Sequence, residues 1–318
     1  GYRQLVHGNL HGTAMYTKDF RMEKKSDKRY FLRFEGVGTY ATISLNGRDY
    51  GRHPVGRTTL TLDVTDGLHA GINNLQVKVE HPEMIADMPW VCGGCSSEWG
   101  FSEGSQPFGI FRSVELEETD EVRIEPFGVH VWNNDFTANQ LRSDAGEGEK
   151  KPAVQVDNNN KVPEVYVEVE VRNYSQRVET VEVVNKFSNA DGKQIFRLTE
   201  NVVLQPSETK IVKQRAKVEN PVLWSLDNPY LYQLTSMIKR DGKTTDEVNT
   251  PFGIRTISWP VKRMDGDGRF FLNNKPVFIN GVCEYEHLFG QSHAFSDEQV
   301  AARVKMIKEA GFNAFRDA

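Results

Sequence analysis

The chain has 318 residues, a length that predicts two or three domains. Hydrophobic residues make up 38% and charged residues 26%, which is ordinary for globular domains. The net charge of −5 and the lack of a clustered basic face argue against a nucleic-acid partner. Since no apolar run approaches the roughly 18 residues of a membrane-spanning helix, a membrane partner is not expected either.

Residues 13–124 contain many short alternating segments and no helical pattern. Apolar and polar residues alternate at 30–35, 41–45, 59–64, 74–79 and 114–117. Asn46-Gly47, directly after the second of these segments, is the strongest short signal for a hairpin. This pattern predicts an antiparallel sandwich or barrel.

Residues 137–161 interrupt the pattern. The stretch is rich in Ser, Asp, Gly, Glu, Lys and Asn, and has too little apolar surface to fold alone. It reads either as a linker or as a long hairpin loop within the second domain, and both interpretations stay open.

A second all-β segment begins at Val162. Valines occupy alternate positions from 165 to 171 and so share one face of a strand. Asp-Gly pairs at 191–192 and 241–242 indicate hairpins. About 100 residues with evenly spaced strands predict an immunoglobulin-like sandwich.

The pattern changes again after residue 258. Residues 270–279 predict a hairpin, and residues 277–282 a strand that continues from it. Ser296 and Gln299 form a capping-box pattern before the apolar stripe of a helix, and Gly311 stands at its expected end. A strand follows at 312–316, so the order is strand, helix, strand, as in a parallel sheet or barrel. A closed barrel takes roughly 250 residues, so the third domain is expected to be incomplete in this chain.

The three cysteines, Cys92, Cys95 and Cys283, do not form a disulfide framework. Cys92 and Cys95 have C-x-x-C spacing, but they lack both a following helix and a second ligand pair. We therefore expect loop thiols, with a Cys92–Cys95 bridge left open, and no metal or cofactor. A removed leader and a start inside a longer protein both fit the first residues, so a periplasmic or secreted location also stays open.

Several short motifs, in their order along the chain, resemble the family 2 glycoside hydrolases, which include β-galactosidases, β-glucuronidases and β-mannosidases. The resemblance covers nearly the whole chain. The matching segments are LRFEGV at 32–37, LNG at 45–47, LDVT at 62–65, GIFR at 109–112, LW at 223–224, NPYLY at 228–232, FGIR at 252–255, FLNNKP at 271–276, GV at 281–282, EH at 286–287 and FNAFR at 312–316. The resemblance implies a mainly β chain in three parts: a jelly-roll sugar-binding-like domain at 1–124, an immunoglobulin-like β-sandwich at 125–257, and the first βαβ unit of an incomplete (β/α)8 barrel at 258–318.

The resemblance also implies an activity, retaining hydrolysis of O-glycosidic bonds in a carbohydrate substrate by two glutamates. No residue of this chain matches either glutamate, so we expect no catalytic residue here and an inactive fragment. Glu284 and Glu286 are not assigned as the two catalytic glutamates, because they stand two residues apart on one loop. Cys283-Glu284-Tyr285 replaces the Asn-Arg-His of the family's galactosidases, which leaves the sugar open. The oligomeric state, a homo-oligomer included, also stays open.

The expected substrate-binding residues are Glu286, His287, Arg316 and Asp317. They follow the two predicted parallel strands, and barrel enzymes bind substrate at the carboxyl ends of their strands. Arg316 and Glu286 could instead pair with each other to brace the barrel mouth, and His287 could be a packed ring.

Two further alternatives concern the rest of the chain. Trp90, Trp99 and Phe101 flank a glycine-rich loop, and packing of this loop is favoured over contact with a glycan. The rival function is a stand-alone carbohydrate-binding or adhesion protein. The predicted helix between two parallel strands argues against that rival, because a binding module does not need it.

Overall fold

The computed structural model describes residues 12–56, 58–82, 108–136, 162–259, 268–284 and 294–317. These residues form twenty β-strands and one α-helix, so the described chain is mainly β, as predicted. The chain divides into two compact units, one of residues 1–119 with 280–318 and the other of residues 120–279. Among the described residues, no helix has the length and apolar character to cross a membrane.

The first unit contains two antiparallel sheets. One has the order β1-β6-β3-β4 with β7 paired to β3, and the other has the order β5-β2-β8. Their bounds are β1 Gly12–Met22, β2 Arg29–Phe34, β3 Val37–Leu45, β4 Arg48–Gly56, β5 Leu60–Asp63, β6 Gly71–His81, β7 Gly109–Ile110 and β8 Val114–Thr119. Phe34 of β2 packs in one buried cluster with Ile43 of β3 and Val79 of β6, so the core lies between the sheets. We call this pair of sheets the first sandwich.

The hairpin between β3 and β4 confirms the turn predicted at Asn46-Gly47. Both residues have positive φ, 53° and 78°, which is the combination a two-residue type I′ turn requires. The Asn46 side chain also donates to Asn73 Oδ1 at 2.7 Å and accepts from the Asn74 backbone N–H at 2.8 Å. The turn is therefore tied to the start of β6 as well as to its own strands.

The described residues of the second unit form ten strands in three antiparallel sheets. Two larger sheets have the orders β13-β10-β9 and β12-β11-β14-β15, and a small sheet has the order β16-β17-β18. Their bounds are β9 Val122–Asn133, β10 Glu164–Asn173, β11 Glu179–Ser188, β12 Gln194–Leu204, β13 Thr209–Lys217, β14 Tyr232–Arg240, β15 Lys243–Phe252, β16 Ile257–Ser258, β17 Phe270–Leu272 and β18 Lys275–Val277. We call the two larger sheets the second sandwich.

The alternating valines of β10 fill the core of the second sandwich, as their spacing predicts. The four valines from 165 to 171 are fully buried and share one cluster with Phe187 of β11 and Leu234 of β14. Burying one such side chain contributes roughly 1.5–3 kcal/mol. The opposite face of β10 carries glutamates, which explains why its register is fixed: a slip by one residue would bury charge.

The remaining elements are β19 Gly281–Glu284, α1 Asp297–Glu309 and β20 Ala314–Asp317. The strands pair in parallel and α1 lies between them in sequence. The capping box of α1 is present, with Ser296 accepting from the Gln299 backbone and Gln299 accepting from the Ser296 backbone. Gly311 has a φ of 88°, a left-handed conformation suited to ending a helix. The predicted start and end of the helix are thus confirmed.

The predicted course of the first parallel strand is wrong. Val277 ends the antiparallel β18 opposite Phe270, and the parallel strand begins only at Gly281. Asn280 marks the break: its backbone N–H binds the Asn313 side chain at 2.8 Å, and the Asn313 N–H binds its carbonyl at 2.9 Å. The pair Asn280-Gly281 interrupts the apolar residues of this stretch and is a turn signal, which the prediction of one continuous strand did not use.

Candidate functional site

The carboxyl ends of β19 and β20 lie side by side. In the parallel register Cys283 faces Arg316, and Glu284 faces Asp317. Strands joined through one helix are expected to be neighbours with their ends on one face. This part of the predicted geometry is present: Arg316 and Asp317 are at the same edge as the end of β19.

Arg316 is exposed and only weakly held. Its Nη1 donates to the Cys283 Sγ at 3.8 Å, and Cys283 is a free, exposed thiol. Within the described part of the chain, Arg316 makes no ion pair. A guanidinium has five donors in a planar fork, so most of them stay available for hydroxyl or carboxylate oxygens.

The other predicted site residues, Glu286 and His287, lie outside the described residues, as do Trp90, Trp99, Phe101, Cys92 and Cys95. The grouping of Glu286 and His287 with Arg316 and Asp317 therefore stays a prediction. Sequence reasoning missed the Cys283–Arg316 contact. The sequence drew attention to Cys283, because Cys283-Glu284-Tyr285 differs from the Asn-Arg-His of the family's galactosidases. It does not give the strand register, which decides that Cys283 faces Arg316.

Several motif residues meet at one junction in the second unit. Gly253 lies against Trp224, and a Cβ added there would be 2.9 Å from the tryptophan side chain. The Arg255 guanidinium stacks over the Trp224 ring at 5.0 Å. Asn133 donates to the Arg255 carbonyl at 2.9 Å and thereby ties β9 to the same junction. Motifs distant in sequence therefore serve one packing arrangement.

Asn273 joins the small sheet to that junction. Its side chain donates to the Trp224 carbonyl at 2.9 Å and accepts from the Thr256 N–H at 3.0 Å. Its backbone N–H also binds the Thr256 carbonyl at 2.9 Å. Asn273 has a φ of 50°, which asparagine tolerates better than most residues. We call Trp224, Gly253 and Asn273, with these contacts, the junction latch.

A cluster of charges lies in the second unit, around the start of β9. Arg240 pairs with Asp120 at 3.6 Å and with Glu179 at 3.4 Å. Burial raises the pKa of Asp246, although hydrogen bonds from the backbone N–H groups of Ile124, at 2.7 Å, and Glu247 act in the opposite direction. These carboxylates hold β9, β11, β14 and β15 together, so their role is structural. Among the described residues, no group of three or more His, Cys, Asp and Glu side chains is placed to hold a metal.

Two family models match the chain. The galactose-binding domain-like part of glycosyl hydrolase 2 matches residues 9–88, and the glycosyl hydrolases family 2 model matches residues 150–255. The first match falls on the first sandwich and the second on the second sandwich. Together they cover more than half of the 318 residues.

Named relatives agree with these matches. A β-galactosidase of Bacteroides ovatus is 26% identical over 307 residues, covering 96% of this chain and 31% of the relative. A β-glucuronidase of Bacteroides fragilis is 27% identical over 297 residues, covering 91% and 37%. The crystal structure of a family 2 glycosyl hydrolase from Bacteroides cellulosilyticus superposes with a TM-score of 0.76 at 26% identity, covering 97% of this chain and 37% of that one.

The chain belongs to glycoside hydrolase family 2. The two family matches and the named relatives confirm the family resemblance seen in the sequence. The chain spans about a third of the length of the relatives it matches.

Proposed function

We propose that this chain is the non-catalytic N-terminal part of a retaining β-glycosidase that acts on O-glycosidic bonds in carbohydrates, in the manner of a β-galactosidase. The observation that carries the proposal is the pair of family matches on the two sandwiches. The relatives are named β-galactosidase and β-glucuronidase, which supports the reaction class. They do not favour one sugar over the other.

The finer architecture is part of the same proposal. The first sandwich is assigned to a jelly-roll sugar-binding-like domain at 1–124, and the second to an immunoglobulin-like domain at 125–257. Residues 258–318 are assigned to the start of a (β/α)8 barrel. The parallel pairing of β19 with β20 through α1 supports this, because that unit is the repeat of such barrels.

The proposed chemistry needs two carboxyl groups about 5 Å apart. One forms a glycosyl-enzyme intermediate by displacing the leaving group, which the other protonates; the second then activates a water molecule that releases the sugar. This chain is proposed to supply neither group. Its proposed contribution is substrate binding by Glu286, His287, Arg316 and Asp317, at the strand ends where barrel enzymes bind their substrates.

The uncommitted guanidinium of Arg316 is the best-supported part of that site. Its weak contact with Cys283 leaves donors for sugar hydroxyls or for a neighbouring carboxylate. The competing role is a brace at the strand ends. The two roles differ in what an alanine substitution changes, since a brace stabilises the fold whereas a binding group acts on turnover.

The alternative function is a stand-alone carbohydrate-binding or adhesion protein. The galactose-binding-like description of the matched first sandwich is the observation that favours it. Against it stands the β19–α1–β20 unit, because a pure binding module has no role for a capped helix between parallel strands.

The decisive experiment compares two lengths of the protein on a panel of aryl β-glycosides. The 318-residue chain is expected to show no turnover, whereas a gene product that continues past Ala318 is expected to hydrolyse at least one substrate. In that longer protein, Arg316→Ala should lower kcat/KM more than the melting temperature, with exposed Arg197→Ala as a control. Turnover by the purified short chain, or none by the longer one, would refute the proposal.

A further inference from the structure

A contact joins the first sandwich to the residue that precedes helix α1. Arg112 lies in the turn after β7, and its guanidinium carbon is 4.4 Å from the centroid of the Phe295 ring. Both residues are half-buried. A cation within about 6 Å of a ring centroid is attracted by the negative face of the aromatic ring. The contact lies within one compact unit of the chain.

The turn that carries Arg112 is fixed by the first sandwich. The Phe111 N–H donates to the Gly36 carbonyl at 3.2 Å, and the Glu35 N–H donates to the Ser113 carbonyl at 3.1 Å. A Cβ at Gly36 would lie 2.6 Å from the Phe111 ring and 2.8 Å from the Arg112 Cγ. The stem of Arg112 therefore packs directly on backbone, which sets the direction of its side chain.

The guanidinium of Arg112 has no competing anionic partner within the described residues. The nearby carboxylates on β8 are engaged by Arg33, which pairs with Glu115 and, at 2.9 Å, with Glu117. Arg33 also pairs with Glu35 at 3.3 Å. Arg112 thus differs from Arg33. Arg33 pairs with carboxylates of its own sheet, whereas Arg112 contacts the ring of Phe295.

Phe295 lies at the start of α1. It immediately precedes the N-cap Ser296, whose capping box with Gln299 orders the first turn. None of the described side chains of α1 is buried, so contacts at its two ends matter for its position. At the other end, Asn280 donates to the Gly311 carbonyl at 3.2 Å. The Arg112–Phe295 contact lies at the N-terminal end of the helix.

We propose that Arg112 is a positioning residue: from the first sandwich it fixes the start of α1 and, through α1, the strand ends at which Arg316 lies. In a strand–helix unit of a barrel, the N-terminus of the helix is on the same side as the carboxyl ends of the strands. The consequence for catalysis rests on the proposed function, whereas the restraint on α1 does not.

The restraint is tested on the 318-residue chain by millisecond hydrogen exchange read by mass spectrometry. Arg112→Ala and Arg112→Met should each raise exchange of residues 297–309 by roughly 2- to 30-fold, the range a cation–π contact supports. Arg112→Lys keeps a cation and should restore part of the protection. The control is Arg48→Ala, which removes a cation over the Tyr50 ring, at 5.7 Å, within the first sandwich.

A double-mutant cycle separates the contact from a general loosening of the fold. Phe295→Leu keeps an apolar side chain but removes the ring, so it should abolish most of the effect of Arg112→Met. Additive effects would show that the two residues act separately and would overturn the proposal. Unchanged exchange in Arg112→Met, or a wild-type α1 that exchanges as fast as an unstructured peptide, would also overturn it.

The catalytic consequence is read in a longer, active protein. Arg112→Met should lower kcat by a larger factor than it raises KM, Arg112→Lys should recover part of the loss, and Arg48→Ala should match wild type. If the longer protein is inactive, the proposed function fails while the exchange result still decides the restraint. Normal kinetics in Arg112→Met, despite faster exchange of α1, would overturn the positioning role alone.

Discussion

Strand β10 and helix α1 both carry a regular apolar pattern, but they differ in what covers it. The inward valines of β10, such as Val167, are fully buried between two sheets. On the apolar stripe of α1, Val300 is 41% exposed and Val304 is 55% exposed. The spacing of apolar residues therefore predicts a strand or helix and which of its faces is apolar. Whether that face contributes to stability depends on a partner that the local sequence does not specify.

The largest expected effect comes from deleting matched side chains in the two regions. Val167→Ala on β10 should lower the free energy of unfolding by roughly 1.5–3 kcal/mol, because Val167 is fully buried between the sheets of the second sandwich. Val304→Ala on α1 should change it by less than about 0.5 kcal/mol. Urea denaturation followed by circular dichroism measures both. Equal losses would mean that α1 is covered in solution and that the comparison is wrong.

The next effect tests the junction latch. Gly253→Ala should cost about 1–3 kcal/mol, since the added Cβ would be 2.9 Å from the Trp224 side chain and would force it to shift. Gly268→Ala is the matched control, because a Cβ there meets nothing within 4 Å. Thermal melts of both variants check the difference. A Gly253→Ala protein as stable as the control would show that Trp224 adjusts freely.

A smaller effect is expected at the helix start. Ser296→Ala removes the side chain that accepts from the Gln299 N–H, and N-cap losses of this kind cost about 1 kcal/mol. Because α1 buries none of its described side chains, the loss should appear as faster hydrogen exchange in residues 297–309 and not as a lower melting temperature. Ser296→Thr retains a capping hydroxyl and should resemble wild type. A global loss of stability would contradict the weak attachment of α1.

The smallest effect concerns pH and the second sandwich. Burial raises the pKa of Asp246 above the ordinary carboxyl value, so the folded state binds this proton more tightly than the unfolded state. The stabilising contribution is complete below the ordinary value and declines as pH rises through the raised one. Wild type should therefore lose stability relative to Asp246→Asn between acid and neutral pH, as urea denaturation at both can show. A gain would mean that the hydrogen bond from Ile124 outweighs burial.

Most of the fold could be predicted because its signals are local. The Asn46-Gly47 turn, the valines of β10 and the caps of α1 each depend on a few adjacent residues, and all are confirmed. The break between β18 and β19 was missed although Asn280-Gly281 is a turn signal, because the partner that fixes it, Asn313, lies beyond α1 in the sequence. Such pairings depend on tertiary register.

The candidate site was predictable only in part, for the same reason. The position of Arg316 and Asp317 at a strand end follows from the order of the elements. The contact with Cys283 requires knowing which residue of β19 faces Arg316. The direction of Arg112 depends on Gly36 and Phe111 in the first sandwich, so no motif near the strand ends indicates it.

The junction latch has a practical consequence for dissecting the chain. Asn273, on the turn between β17 and β18, binds the Trp224 carbonyl and the Thr256 N–H, so both groups lose this partner if the chain is cut before the hairpin. A recombinant piece of residues 120–257 would lack both of these hydrogen bonds. A piece of residues 120–279 keeps both and is the version to express, label and crystallise.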